Sequence, residues 1–562
     1  MRFFGIRRKS RLTTEINPDE ILIDASNVAD FDRDQFEGRI ERPLGRKTLV
    51  AATTLIALLF VAYIARAGTL QLIDGEMYAE RAKNNQLAQR TIFADRGIIE
   101  DRNGVPLAYN KRESVADDYA QRVYIDMPGL AHVIGFAQAP AKDSGGTYYR
   151  TQFIGMDGAE KAFNDMLGGK NGLKLTETDA RDKVVSESTI QPPQSGDKLT
   201  LSIDANVTSG LYEVIAKRAQ EAHAIGGAGL IMDVRTGELL ALTSYPEYSP
   251  NAMVEGDKDA IRSYNTNKNQ PFLDRAVDGL YSPGSIIKPI MAAAALQEGV
   301  ITEHTTIVST GQISIPNPYN PSKPTVFRDW RVNGILTVRD AVAVSSDVFF
   351  YEVGGGFKNQ PGIGIANIEK YFRMFGYGSD AGLTGFSYKT GTIPSPTWKA
   401  ENFPDDPTWR VGNTYHTAIG QYGMQVTPLQ AVREAVAVAN GGYLLKPTLL
   451  ANAPKQNVER LPIDPYNLQV AREGMRQGVK TGIATAINFP FIQAAAKTGT
   501  AEVGVRNEYQ NAWMIGFWPY DEPKYAFAVV LEKMPSGTPV GGASVMYDFF
   551  QWMNSNAPQY LK

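Results

Sequence analysis

The stretch Tyr281-Ser282-Pro283-Gly284-Ser285-Ile286-Ile287-Lys288-Pro289 sets a hydroxyl and an amine three residues apart, just after a Pro-Gly turn. A serine attacks a carbonyl usefully only as it loses its proton, and a neighbouring amine is a candidate base. The run that follows, Ile290 to Leu296, is rich in strong helix formers, so Ser285 is expected to open a helix. Lys288 then lies one turn on along the same face, within reach of the hydroxyl. A helix N-terminus also favours negative charge developing beside it.

The spacing alone is not specific, because the chain repeats it. S-x-x-K occurs again at Ser195/Lys198, and K-T-G-T occurs both at Lys389–Thr392 and at Lys497–Thr500. Context separates them. Ser195 falls in the linker Gln191-Pro-Pro-Gln-Ser-Gly-Asp197, and Lys389–Thr392 runs into Ile393-Pro394-Ser395-Pro396. Both read as loops. Lys497, Thr498, Gly499 and Thr500 instead lead into strand-like sequence, and Ser345-Ser346-Asp347 lies between them and Ser285. The ordered triple of Ser285/Lys288, Ser345/Asp347 and Lys497–Thr500 is far more specific than its parts.

The elements that must position these residues belong to a folded, anchored chain. At 562 residues two or three domains are expected. A net charge of −3 argues against nucleic acid as a partner. The absence of cysteine excludes disulfides, thiol catalysis and thiolate metal sites. His132, His223, His304 and His416 are scattered without metal spacing, so neither a metal nor another cofactor is expected.

Thr48 to Ala65 is an uncharged apolar run; its eighteen residues give about 27 Å of helix, enough to cross a hydrocarbon core. Arg39, Arg42, Arg46 and Lys47 precede it and Asp74, Glu76 and Glu80 follow, which puts the N-terminus in the cytoplasm. Ala65-Arg66-Ala67 has the form of a signal-peptidase site, but the long preceding segment and the full spanning length favour an uncleaved anchor. We therefore expect a cytoplasmic tail (1–47), a transmembrane anchor (48–66), a pedestal domain (67–198) and a catalytic domain (199–562).

Within the pedestal, Leu70 to Gln89 reads as a helix leaving the membrane and Gly155 to Leu167 as a second helix. Arg96, Asp101 and Arg102 read as a buried or interfacial ion-pair network. After the linker, a strand at Leu199–Ile203, a helix at Val207–Ala222 and paired runs in Ala228–Tyr245 indicate an antiparallel sheet with helices against it, an α+β domain. Ala512–Phe517 and Tyr525–Leu531 read as a hairpin, and Gly542–Met553 as a closing helix.

With these motifs in order, the sequence resembles the class B penicillin-binding proteins, the monofunctional peptidoglycan transpeptidases. The likeness covers most of the chain after the anchor. ADRGIIEDRNGVPLA at 94–108 and GMDGAEKAFNDMLGGKNG at 155–172 are similar to the family's pedestal signatures. DVRTGELLALTSYPEYSPN at 233–251 and GNTYHTAIGQYGMQVTPLQ at 412–430 resemble its transpeptidase segments. The resemblance implies the penicillin-binding transpeptidase fold on an extended N-terminal pedestal with one transmembrane helix. It makes Ser285 the acyl-accepting nucleophile, Lys288 its activator and Ser345 a proton relay to the leaving amine. Asp347 becomes a polar partner for Lys288 or the substrate amide. Lys497, Thr498, Gly499 and Thr500 become the strand edge that binds substrate, and the N–H groups of Ser285 and Thr500 an oxyanion hole. Burial and a second cation such as Lys497 would lower the pKa of Lys288.

Two features depart from the wider family. Aspartate stands in the second motif where many members carry asparagine, as in the elongation-type subgroup. Between Tyr109 and His132 the chain lacks most of the head insertion usual in that subgroup.

The implied reaction is attack on a D-Ala-D-Ala bond of a stem peptide, release of D-Ala and transfer of the acyl group to a neighbouring amine. β-Lactams are implied ligands, the lipid bilayer an implied surface, and a polytopic glycosyltransferase an implied membrane partner. The competing readings are a D,D-carboxypeptidase or serine β-lactamase, and a non-catalytic β-lactam sensor. No E-x-x-x-N deacylation motif is evident, since Glu369-Lys-Tyr-Phe-Arg373 ends in arginine. A sensor would want several spans and a cytoplasmic effector domain.

Overall fold

The computed structural model describes residues 46–77, 86–114, 116–178, 184–317, 320–386 and 389–562. The chain divides into two compact units, Met1–Ala88 with Glu177–Ser186, and Gln89–Thr176 with Glu187–Lys562. The expected cytoplasmic tail lies outside the described residues, except for Arg46 and Lys47, which already belong to the first helix.

In the first unit, helix α1 (Arg46–Gly68) continues as a π-helical turn over Thr69–Ile73. Leu55, Leu59, Phe60 and Ile64 are all exposed, as side chains facing lipid must be. Thr53 and Thr54 donate their hydroxyls to Leu49 O and Val50 O at 2.7 Å, so neither polar group needs a partner outside the helix. Among the described residues, this is the one helix long and apolar enough to span a bilayer. The helix expected over Leu70–Gln89 does not run its length. Residues 78–85 lie outside the described residues, and Gln86–Ile92 is a strand.

In the second unit, strands β1 (Ile99–Glu100), β2 (Pro106–Lys111), β3 (Gln121–Tyr124) and β4 (Leu199–Thr200) form one sheet in the order β4-β1-β2-β3. Asp101 closes the turn between β1 and β2 by accepting the N–H groups of Asn103 and Val105 at 2.8 and 2.9 Å. Its second oxygen accepts from Ala205 N at 3.1 Å, where helix α2 (Ala205–Glu221) begins. Arg96 and Arg122 converge on Glu160 at 2.5 and 2.7 Å, with all three side chains fully buried. Of the three residues expected in one charged network, only Arg96 belongs to this cluster: Arg102 pairs with Glu238 at 3.4 Å, and Asp101 serves as a hydrogen-bond acceptor for the turn and for α2. The helix expected over Gly155–Leu167 is broken into Gly158–Ala162 and Asn164–Leu167. Arg96 Nη2 donates to Glu160 O at 2.8 Å, and a carbonyl held by a guanidinium is diverted from the next helical turn.

The rest of this unit is built on an antiparallel sheet of β5 (Gly226–Asp233), β6 (Leu239–Tyr245), β7 (Ala495–Val503), β8 (Tyr509–Trp518) and β9 (Tyr525–Pro535), in the order β6-β5-β9-β8-β7. Of helices α3 (Lys288–Gln297), α4 (Val338–Val344), α5 (Asp347–Gly355), α6 (Pro428–Ala439), α7 (Pro465–Lys480) and α8 (Gly542–Asn556), the last three pack on it together with α2, and α3, α4 and α5 pack against α7 and one another. Alternation along the strands sorts the core into two layers. Leu211, Ile215, Val545, Phe549 and Phe550 of α2 and α8 meet Ile231, Met514 and Trp518 on one face. Ile290, Ala294, Val432 and Val436 of α3 and α6 share the other with Leu230, Trp513, Ile515 and Phe517. Burial of α3 through Ala295 explains its alanine-rich sequence, while α6 is buried throughout although it carries Gln430, Arg433 and Glu434 on one face.

Candidate active site

Ser285 does not open an α-helix directly. It sits in a 3₁₀ turn, Gly284–Ile287, that hands over to α3 at Lys288. With three residues per turn, positions i and i+3 eclipse, so Ser285 and Lys288 share one side of the turn, while the hydrogen bonds of Lys288 Nζ go to Ser345 and Asp347. Three contacts seat the turn, two on the sheet and one on the loop at Gly420. Trp513 Nε1 on β8 donates to Ser282 O at 2.9 Å. Gly284 has φ +56° and donates to Gly420 O at 3.0 Å. A Cβ on Gly499 of β7 would stand 2.8 Å from both Pro283 O and the Ile286 side chain, so only glycine lets strand and turn approach this closely.

The second motif is a helix-to-helix corner. A capping box between Thr337 and Asp340 starts α4, which ends at Ser345 in the left-handed region (φ 59°, ψ 40°). Ser346 then caps α5, its Oγ accepting from Phe349 N at 3.3 Å. A non-glycine residue at positive φ is uncommon and strained by about 1–3 kcal/mol. Here that conformation turns the Ser345 hydroxyl toward two amines. Lys288 Nζ lies 3.2 Å and Lys497 Nζ 2.8 Å from Ser345 Oγ.

Lys288 also donates to Ser345 O at 2.8 Å and pairs with Asp347 Oδ1 at 2.6 Å. An ammonium has three N–H bonds, and these three acceptors use all of them. Accepting a proton from Ser285 requires a neutral amine whose lone pair replaces one of those bonds. Lys497 donates to Thr498 O at 2.7 Å as well. Burial, reinforced by the Lys288 cation and partly opposed by Asp347, pushes the Lys497 ammonium well below its ordinary pKa.

A cleft of about 940 Å³ brings together Ser285, Ser345, Asp347, Thr498 and Thr500. Lys288 and Lys497 are buried behind this lining, both hydrogen-bonded to Ser345, and Gly499 is buried against the serine turn. The decoy motifs lie elsewhere: Ser195 is exposed with Lys198 paired to Glu100 at 3.0 Å, and Lys389 is exposed. The same cleft is lined by Asp329, Trp330, Tyr351 and His416, which sequence reasoning had not singled out as functional. His416 carried a weak signal, since it lies in the family-like segment 412–430. Burial holds its imidazole below the ordinary pKa, with Asp347 opposing. Among the described residues no cluster of His, Asp and Glu could hold a metal ion.

A serine turn, a two-helix corner and a K-T-G-T strand around one cleft define a class of acyl-transfer enzyme. The family model for the penicillin binding protein transpeptidase domain matches residues 227–548, and that for the penicillin-binding protein dimerisation domain matches residues 114–201. The chain belongs to the penicillin-binding protein transpeptidase family. It is 32% identical over 440 residues to the peptidoglycan D,D-transpeptidase MrdA of Acinetobacter baumannii, covering 72% of this chain and 62% of that protein. The chain therefore spans under two thirds of that relative's length. To MrdA of Escherichia coli K12 it is 28% identical over 606 residues, covering 88% of this chain and 92% of the relative. A solved complex between the penicillin-binding protein PBP2 and MreC from Helicobacter pylori superposes with a TM-score of 0.69 at 25% identity, over 84% of this chain and 99% of that one. The class B, elongation-type resemblance drawn from the motifs stands with these relatives.

Proposed function

We propose that this chain is a membrane-anchored peptidoglycan D,D-transpeptidase that cross-links stem peptides through an ester on Ser285. The observation that carries the reading is one hydroxyl, Ser345 Oγ, held between two buried amines in the cleft that Ser285 lines. Ser285 Oγ attacks the carbonyl of the D-Ala-D-Ala bond while Lys288, as a neutral amine, takes its proton. The C–N bond breaks, and Ser345 passes a proton to the departing nitrogen of D-Ala. An amine of a neighbouring strand then attacks the ester: its N–C bond forms, the Ser285 Oγ–C bond breaks, and the proton that the amine loses passes through Lys288 to Ser285 Oγ. Thr498, Gly499 and Thr500 on β7 bind the substrate backbone and carboxylate. The N–H groups of Ser285 and Thr500 receive the developing oxyanion, a contribution of about 3–4 kcal/mol where one such donor has been removed.

The basic residues before α1 favour a cytoplasmic N-terminus and an extracytoplasmic cleft, where peptidoglycan lies. The proposed divisions are a tail (1–47), an anchor (48–66), a pedestal (67–198) and a transpeptidase domain (199–562). A polytopic glycosyltransferase that makes the glycan strand is the proposed membrane partner. The test is intact-protein mass spectrometry with a fluorescent penicillin. We expect one stable adduct on Ser285, lost in Ser285→Ala. Persistent labelling of that variant sinks the reading, and rapid turnover of the penicillin favours a β-lactamase instead.

A further inference from the structure

Ser345 sits in a strained conformation between two helices, so something must hold it there. The bonds that end α4, Ser345 N to Val342 O at 3.3 Å and Ser346 N to Ala341 O at 3.1 Å, stop one helix without fixing where the next begins. Lys288 and Lys497 hold Ser345 O and Oγ, and a separate segment holds the residues on either side of it. Strand Thr325–Arg328 pairs with Gln312–Ile315, and Asp329 and Trp330 follow it directly. Asp329 Oδ2 accepts from Ser346 Oγ at 2.6 Å and from Val348 N at 3.2 Å, on the C-terminal side of Ser345. Trp330 Nε1 donates to Val344 O at 3.1 Å, on its N-terminal side. Ser345 is gripped from both directions by two consecutive residues.

Asp329 is itself fixed. Ser309 Oγ and Asn333 Nδ2 donate to the same Oδ2 at 3.0 and 3.2 Å, Trp330 N donates to Oδ1 at 2.9 Å, and Asp329 N is bonded to Gly311 O at 2.8 Å. A carboxylate at the start of α5 is also favoured by the helix dipole, and its hydrogen bonds are stronger than neutral ones. The geometry points to Asp329 as the positioning residue of the second motif: through Ser346 and Val348 it sets the Ser345 hydroxyl between Lys288 and Lys497. Asp329 transfers no proton. Its contribution is to make a strained serine the resting state, so that proton relay needs no rearrangement.

This assignment rests on the transpeptidase reading, and the experiment separates the two. Asp329→Ala is expected to lower the first-order acylation rate at saturating fluorescent penicillin roughly 10- to 100-fold, the size set by hydrogen bonds to a charged acceptor. The noncovalent binding step should change by less than about threefold, because the loss falls on the reacting geometry. Asp329→Asn keeps an acceptor oxygen on the same frame and should recover most of the rate. Combined with Ser346→Ala, Asp329→Ala should lose no more than the worse single variant, since both cut one link. A wild-type acylation rate in folded Asp329→Ala, or additive losses in the double variant, overturns the assignment. Where Asp329→Ala does not fold, Ser346→Ala carries the test, and a wild-type rate there overturns it equally. Wild-type protein that takes no label on Ser285 defeats the transpeptidase reading itself. A labelled wild type with an indifferent Asp329 defeats only this inference.

Discussion

Lys497 Nζ lies 2.8 Å from Ser345 Oγ although the two residues are 152 positions apart in the chain. Strand β7 carries the amine and the corner between α4 and α5 carries the hydroxyl, so the contact exists only when sheet and helices are assembled. Both groups are buried, and Lys288 approaches the same oxygen from α3. Two like charges sharing one hydroxyl in a low-dielectric interior favour loss of a proton from one of them.

That arrangement costs stability, and the cost depends on pH. The Lys497 pKa is depressed in the folded state, while an unfolded lysine titrates near about 10.4. Between those two values the unfolded chain binds more protons, so wild-type stability rises with pH across the window. Below the folded pKa the penalty is complete, and above the unfolded value it is gone. Lys497→Met removes the charge while filling the space. We expect the variant to be more stable than wild type at about pH 7 and the advantage to shrink as pH approaches about 10. Urea unfolding of both proteins across that range checks it, and a pH-independent difference would contradict the argument.

The two K-T-G-T sequences make opposite predictions. Lys389 is exposed and forms no hydrogen bond or ion pair with the cleft residues, whereas Lys497 is buried with its amine 2.8 Å from Ser345 Oγ, which lines the cleft. Lys389→Ala should acylate at close to the wild-type rate, and Lys497→Ala should lose roughly 10²- to 10⁴-fold, the range of a positioned acid–base group. Stopped-flow labelling with a fluorescent penicillin reads both, and equal effects would show the motif assignment to be wrong.

The order of Ser285, Ser345 and Lys497 was legible because chemistry restricts which residue types can stand at each place. The sheet and the closing helix were legible too, since Ile231 and Met514 alternate with Leu230 and Ile515 across two faces. What the sequence withheld depends on contacts between distant segments. The 3₁₀ start at Ser285 accompanies the close approach of Gly499, and the break at Phe163 follows from Arg96 taking the Glu160 carbonyl. Asp329 gave no signal, because a single aspartate after a short strand acquires a role only once α5 begins beside it. Local propensity cannot report any of these.

Gly499 offers a direct test of the turn-to-strand seat. Its missing Cβ is replaced in Gly499→Ala by a methyl 2.8 Å from Pro283 O and from the Ile286 side chain. The backbone oxygen cannot rotate away, so strand β7 and the serine turn must separate. Overpacking of this kind costs about 1–3 kcal/mol. The same shift moves Ser285 away from Thr500. We expect a lower melting temperature together with slower acylation, measured on one preparation. An alanine variant with wild-type acylation would mean that the seat does not set the geometry of the cleft.

Glu160 gives a prediction about stability without chemistry. It is the single carboxylate between Arg96 and Arg122, at 2.5 and 2.7 Å, and it also accepts from Tyr124 Oη at 3.1 Å. All of these side chains are buried. Removing one partner of a buried ionic cluster leaves uncompensated charge, at a cost of about 3–5 kcal/mol, and here two guanidinium groups would be stranded. Glu160→Ala should therefore lose much of the stability of its unit. Replacing Arg96, Arg122 and Glu160 together by Met, Leu and Leu should restore most of that loss, because the triple change strands no charge. No catalytic side chain belongs to this cluster, so the folded fraction of each variant should acylate at the wild-type rate. Denaturant unfolding followed by penicillin labelling checks both halves. A triple variant no more stable than Glu160→Ala would mean that the cluster is held by geometry that apolar side chains cannot reproduce.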